Sequence, residues 1–98
     1  MSDPTLLVLA SLADGDKHGY AMMEDIQRFA QVRLGPGTLY GAITRLEQRG
    51  WIQPVASDDR RQPYTLTAAG RQILEDQLAS LHRIVLTGLT RLRPECGA

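Results

Sequence analysis

Two places in this 98-residue chain carry side chains whose types and spacing could do chemistry. One is the pair Arg60–Arg61 in the stretch SDDRRQP, and the other is a polar row in the stretch LGPGTLYGAITRLEQRGW at 34–51. On a helical wheel Gly41, Thr44 and Gln48 fall opposite Leu39, Ile43 and Leu46, with Thr38 and Arg45 on one flank and Tyr40 on the other. Small and hydrogen-bonding side chains in that array suit a helix lowered into a DNA groove, because a bulky apolar row would hold it off the base edges. Gly37 and Thr38 stand at the opening turn, where free backbone N–H groups and the helix dipole favour a phosphate. Tyr40 offers a hydroxyl on a rigid stalk, and Arg45, with Arg49 one turn on, adds positive charge. In the plainer alternative, Tyr40 only packs beneath a neighbouring hairpin and the arginines are solvated.

Arg60 and Arg61 fall at the tip of an expected hairpin, and Arg33 falls just before the polar helix. Paired arginines at such a tip suit phosphates or a narrow minor groove. The competing arrangement has Asp58 and Asp59 neutralising them in an ordinary solvated loop. Other chemistries have little support. His18 and His82 lie far apart and Cys96 is the single thiol, so no ligand set has zinc spacing, and no metal or cofactor is expected. No serine or cysteine sits with a base and an orienting group, so no catalytic residue is assigned and the chain is not expected to be an enzyme. GPGT lacks the lysine and spacing of a nucleotide-binding loop. His18 is expected as a structural residue at the entry to a helix. Trp51 is expected in the core, with the grip of an aromatic effector at a dimer interface as the alternative.

Composition bounds these assignments. Hydrophobic residues make up 43% of the chain, enough for one modest core. Eleven basic and eleven acidic residues give zero net charge, so a nucleic-acid partner has to be argued from where the charges sit. A lone cysteine two residues from the end forms no internal disulfide and suits a reducing cytoplasm. No run approaches the roughly 18 apolar residues of a membrane span. The apolar start TLLVLASLA lacks a basic leader and reads as a buried helix.

The elements that must position the site follow from caps and periodicity. Asp3 and Pro4 start a first helix that is apolar on nearly every face. DGDKHG at 14–19 reads as a turn, and a second helix runs from about Gly19 to Gln31. Met22, Met23, Ile26, Phe29 and Ala30 form its apolar spacing, with Glu24, Asp25 and Arg28 towards solvent. The third helix carries the polar row and stops at Gly50. WIQPV (51–55) and QPYTL (62–66) then read as a hairpin, in which Pro54 and Pro63 donate no ladder hydrogen bond. Thr67 caps a last helix reaching about Arg93, and Pro94 and Gly97 mark a frayed tail. In that helix Leu74, Leu78, Leu81, Val85 and Leu92 recur at helical steps, Gly88 interrupts the seam, and Ile73, Ile84 and Leu89 widen it. Some 39 Å of helix, at roughly 1.5 Å per residue, is more than a small domain covers. A twofold-related copy is the economical partner, with Leu6 and Leu9 of the first helix beside the seam. The alternative is a helix folded back on its own domain.

The order is helix, helix, helix, hairpin, long helix. The expected fold is mainly α with a small β-hairpin: a winged helix-turn-helix over 1–66, then a C-terminal dimerisation helix and tail over 67–98. Three segments sharpen this: HGYAM at 18–22, GPGTLYGAITRLEQRGWI at 35–52 and YTLTAAGRQIL at 64–74. In order and spacing they resemble the PadR family of bacterial transcriptional regulators, over residues 5 to about 75. The resemblance implies a cytoplasmic homodimer, joined through its C-terminal helix, that represses promoters and is released by a small molecule or a stress signal. It resembles the shorter branch, with a single C-terminal helix. Two departures stand out: the wing SDDRRQP has no glycine and two acids, and the last helix has no aromatic residue to line a drug pocket. The expected partners are double-stranded operator DNA, a second copy and a small-molecule effector, with no membrane. Two recognition helices about 34–36 Å apart would read a palindrome. A winged-helix module that binds protein instead of DNA is the alternative, supported by zero net charge and the acidic wing.

Overall fold

The computed structural model describes residues 3–93, so the expected tail with Pro94, Cys96 and Gly97 lies outside the described residues. Asp3 accepts the Thr5 N–H at 3.0 Å and caps α1 (Pro4–Ser11), whose first residue is a proline that needs no N–H partner there. Leu7, Val8, Leu9 and Leu12 are all buried, because α1 is packed on by α2 (Gly19–Ala30), α3 (Pro36–Gln48) and α4 (Ala68–Arg91). Among the described residues no helix is long and apolar enough to cross a membrane.

A tight 3-10 turn (Leu12–Asp14) leads to the first departure from expectation. Lys17 and His18 are not simply part of a turn; they form a short strand, β1, that pairs antiparallel with β3 (Pro63–Leu66). The register is Lys17 opposite Tyr64 and His18 opposite Pro63. With β2 (Ile52–Pro54) on the other side, the expected hairpin is a three-stranded sheet in the order β1-β3-β2. A two-residue strand has no periodicity to read, and its partner is far away in sequence. Pro63 is tolerated in the central strand because it is that strand's first residue.

α2 follows its expected stripe with two corrections. Met22 and Ile26 are sealed in the core, but Phe29 on the same face is 49% exposed, since the last turn runs past the elements that cover the rest. Asp25, expected towards solvent, turns inward to accept the Ser11 hydroxyl at 2.7 Å. Ser11 is itself buried and needs that acceptor. α3 buries Leu39, Ile43 and Leu46 as its spacing requires, together with Ala42. It ends where Gly50, at φ 77°, lets the Gly50 and Trp51 N–H groups donate to the Glu47 and Leu46 carbonyls.

Thr67 caps α4 by accepting the Gly70 N–H at 3.0 Å, and its own hydroxyl donates to the Gly50 carbonyl at 2.7 Å. The Thr67 N–H donates to the Trp51 carbonyl at 3.1 Å. Gly70 lies so close to that carbonyl that a side-chain carbon would collide with it. The start of α4 is therefore bolted to the exit of α3. Leu74 completes the core, and from Leu78 onwards every large apolar residue of α4 is exposed.

Gly70→Ala is expected to destabilise the protein by about 2–3 kcal/mol, because a backbone carbonyl cannot swing aside as a side chain does. Urea unfolding of the variant beside the parent chain measures it.

Candidate nucleic-acid interface

The core-facing stripe of α3 leaves Thr38, Tyr40, Thr44, Arg45 and Gln48 exposed on the outer side, with Gly37 open at the first turn. Gly41 serves as a notch: the Arg45 guanidinium folds back over it, 3.7 Å from where a side-chain carbon would stand. Thr44 departs from the expected role of a free donor. Its hydroxyl donates to the Tyr40 carbonyl at 2.9 Å, leaving a methyl group and oxygen lone pairs to face outward. Arg49 is also committed elsewhere, its guanidinium 5.1 Å from the centroid of the Trp51 ring. Trp51 is half-buried under it instead of lying wholly in the core.

Tyr40 combines both arrangements that its sequence position allowed. Its ring lies over the backbone of Gly19, where any side chain would meet the phenol, yet it stays 48% exposed. That explains two sequence segments at once: the glycine of HGY makes room for the tyrosine of GPGTLY. The phenol borders a cleft of about 240 Å³, lined also by His18, Tyr20, Arg60, Arg61 and Gln62. Nearby, burial raises the Tyr64 phenol above its ordinary value of 10.0, with Glu47 and Tyr40 acting in the same direction.

The wing loop is held by its own side chains. Ser57 Oγ accepts the Asp59 N–H at 3.1 Å, and Asp59 accepts the backbone N–H of Arg60 at 2.6 Å. The Gln62 amide donates to the carbonyls of Val55 and Pro63, closing the root of the loop. Among the described residues the ion pairs join Lys17 to Asp14 and Asp25, and Arg28 to Asp25. Asp58 and Asp59 thus make no ion pair with Arg60 or Arg61, against the arrangement in which they neutralise the tip. Arg61 instead brings Nη1 to 3.3 Å from Nε2 of His18. Arg33 stands apart from this cleft, on a second one of about 410 Å³ with Tyr20, Met23, Glu24, Gln27, Leu34 and Pro36. Sequence reasoning missed His18, Tyr20 and Gln62 as neighbours of the wing. The pairing of β1 with β3 is what brings them there.

Of the residues expected at a dimer seam, Leu9 and Leu74 belong to the protomer's own core, 1% and 4% exposed. Leu6 is half-buried, while Leu78, Leu81, Val85, Leu89 and Leu92 line the open side of α4. Among the described residues no three histidine, cysteine, aspartate or glutamate side chains cluster to hold a metal ion.

Three packed helices, the third with an open polar face beside an arginine-tipped antiparallel wing, define a winged helix-turn-helix protein. Residues 8–76 match the transcriptional regulator PadR-like family. The chain is 38% identical over 89 residues to the transcriptional regulator Rv3488 of Mycobacterium tuberculosis, covering 85% of this chain and 82% of that one. It is also 45% identical over 83 residues to a 37.1 kDa protein of transposon TN4556 from Streptomyces fradiae, spanning 24% of that protein's length. A PadR family transcription regulator from Clostridium difficile R20291 superposes with TM-score 0.83 at 24% identity, over 93% of this chain and 99% of that one. A transcriptional regulator from Clostridium thermocellum does so with TM-score 0.74 at 24% identity, over 87% of each chain. The protein belongs to the PadR-like family of transcriptional regulators, whose members are not enzymes.

Gly19→Ala is expected to leave stability within about 0.5 kcal/mol of the parent, since the phenol it meets is the far end of a side chain and can move. The displaced Tyr40 then shows as a changed environment for that ring in aromatic NMR spectra. The raised Tyr64 makes a separate prediction. The folded state holds that proton more tightly than the unfolded chain, so stability falls as pH rises beyond about 10. Urea unfolding of Tyr64→Phe beside the parent, between about pH 9 and pH 11, should show this decline reduced in the variant.

Proposed function

We propose that the protein is a homodimeric, sequence-specific DNA-binding regulator that acts as a repressor at a palindromic operator. The observation that carries this reading is the open face of α3 standing beside wing arginines without an ion-pair partner. Thr38, Tyr40, Thr44, Arg45 and Gln48 form the reading face. Gly37 admits a phosphate at the helix start, and Arg33, Arg60 and Arg61 neutralise backbone phosphates. With its donor turned inward, Thr44 suits a thymine methyl or a base amino group. Release by a small-molecule or stress signal in the cytoplasm is the mode of control that the family resemblance implies.

The second subunit is argued from α4. Leu78, Leu81, Val85, Leu89 and Leu92 share one face of the helix and are 42–79% exposed. A row of that length in water favours a partner with the same row, and two copies about a twofold axis supply it. Leu6, half-buried on α1, lies at the edge of the surface such a partner would meet.

Fluorescence anisotropy on DNA from upstream of the gene, against scrambled DNA at two salt concentrations, tests the DNA reading. The upstream fragment should bind preferentially, and Arg60→Ala with Arg61→Ala should reduce the salt slope of log K by about 1.8, roughly 0.9 per phosphate lost. Salt-insensitive binding without preference, beside tight binding to a protein, would favour an interaction module instead. Leu81→Glu with Val85→Glu should yield a monomer in sedimentation equilibrium and weaken operator binding at least about tenfold, as two half-sites no longer act together.

A further inference from the structure

His18 is caught between two donors. Its Nδ1 accepts the Ala21 N–H at 3.3 Å and so caps α2. A neutral imidazole has one acceptor nitrogen and one N–H, so the capping bond leaves the proton on Nε2. Nε2 in turn faces Nη1 of Arg61 at 3.3 Å. Two donors at that separation give each other nothing, and a shared oxygen acceptor with negative charge satisfies both. The cleft where they meet is open and is walled by the Tyr40 phenol, which contributes a third hydroxyl donor. All three side chains are fixed from behind: His18 by its cap and its place opposite Pro63 in the sheet, Arg61 by the wing, and Tyr40 by the backbone of Gly19.

We infer that His18, Arg61 and Tyr40 form a phosphate clamp that closes the wing onto α2 and α3 around one backbone phosphate of bound DNA. This rests on the DNA-binding reading above and adds His18, read from sequence as structural only, to the contacts. A non-bridging phosphate oxygen accepts from Nε2 of His18 and from the guanidinium together. The clamp thereby fixes the wing's position relative to α3 at the moment of binding. Free inorganic phosphate has the same oxygens, and the DNA backbone is favoured because the cleft opens beside the reading face of α3.

His18→Asn is the informative variant. Asparagine caps a helix as well as any residue, so α2 is retained while the Nε2 donor is lost. Operator affinity should drop roughly tenfold, as expected for a hydrogen bond to a charged group. The salt slope should stay unchanged, because a neutral imidazole displaces no counterion, whereas Arg61→Ala lowers it by about 0.9. The double variant should lose at least about threefold less than the product of the single losses, because the two groups hold one oxygen. Parent-like affinity in His18→Asn, with Arg61→Ala still impaired, would overturn the clamp and leave the DNA reading standing. Absence of DNA binding by the parent protein would overturn both. If inorganic phosphate perturbs the His18 ring signals while His18→Asn binds DNA normally, the cleft takes a free anion and the DNA assignment fails. Nitrogen-15 spectra of the unliganded parent protein decide the matter even if His18→Asn does not fold. A proton on Nε2 is required, and a proton on Nδ1 would sink the proposal.

Discussion

The pairing of Lys17 and His18 with Tyr64 and Pro63 is the interaction on which the rest of the candidate surface depends. A two-stranded hairpin alone in water is marginal, and this one has prolines in both strands. The third strand anchors it, and that strand is itself held from the core. Lys17 donates to the Ser11 carbonyl and to Asp14, the buried Ser11 hydroxyl donates to Asp25, and Asp25 lies on α2. That ammonium also holds the Asp14 carboxyl below the ordinary carboxylate range, chiefly through the hydrogen bond itself. An unbroken series of contacts therefore runs from the end of α1 to the wing. It delivers Arg61 beside His18 and sets the wing beside the start of α3.

The same network explains why zero net charge is a poor guide to this protein's partners. Its ion pairs gather at the junction of α1, β1 and α2, where Asp14 and Asp25 engage Lys17 and Arg28. Arg49 lies on Trp51. Arg33, Arg45, Arg60 and Arg61 make none of the ion pairs found among the described residues, and all four are exposed. An even balance of charge over the chain is thus compatible with local positive potential where α3 and the wing meet. What steers a polyanion is that local distribution and not the sum.

Much of the fold was legible because it is written in local chemistry. Asp3 and Thr67 cap the helices they precede, Gly50 takes the positive φ that ends α3, and Leu39, Ile43 and Leu46 keep the period of a buried stripe. What stayed hidden depends on partners remote in sequence. β1 is too short to have a pattern, and the need for Gly19 appears only when Tyr40 is laid across it. Phe29 shows the complementary failure: its spacing is right, and nothing covers that end of the helix. Leu9 and Leu74 fit an apolar seam by period, but period cannot separate a protomer's own core from a surface shared between copies. Of the candidate site, the α3 face and the wing arginines were readable from residue type and spacing. The commitments of Thr44, Arg49 and His18 to backbone and ring partners were not.

That last distinction bears on α4, where one continuous apolar stripe does two jobs. Leu74 lies in the core, and Leu78, Leu81, Val85, Leu89 and Leu92 carry the same face into the open. The point of attachment is rigid. Gly70 is pressed onto the Trp51 carbonyl, Thr67 bonds both that carbonyl and the Gly50 carbonyl, and both carbonyls belong to the turn that ends α3. The direction of α4 is therefore fixed to the axis of α3 through a few short contacts, with no flexible linker between them. If two copies meet along the exposed stripe, as proposed, the separation of their α3 helices follows from that joint. Half-site spacing is then a property of the geometry around Trp51, and a glycine at position 70 is a condition for it because no other residue permits the approach.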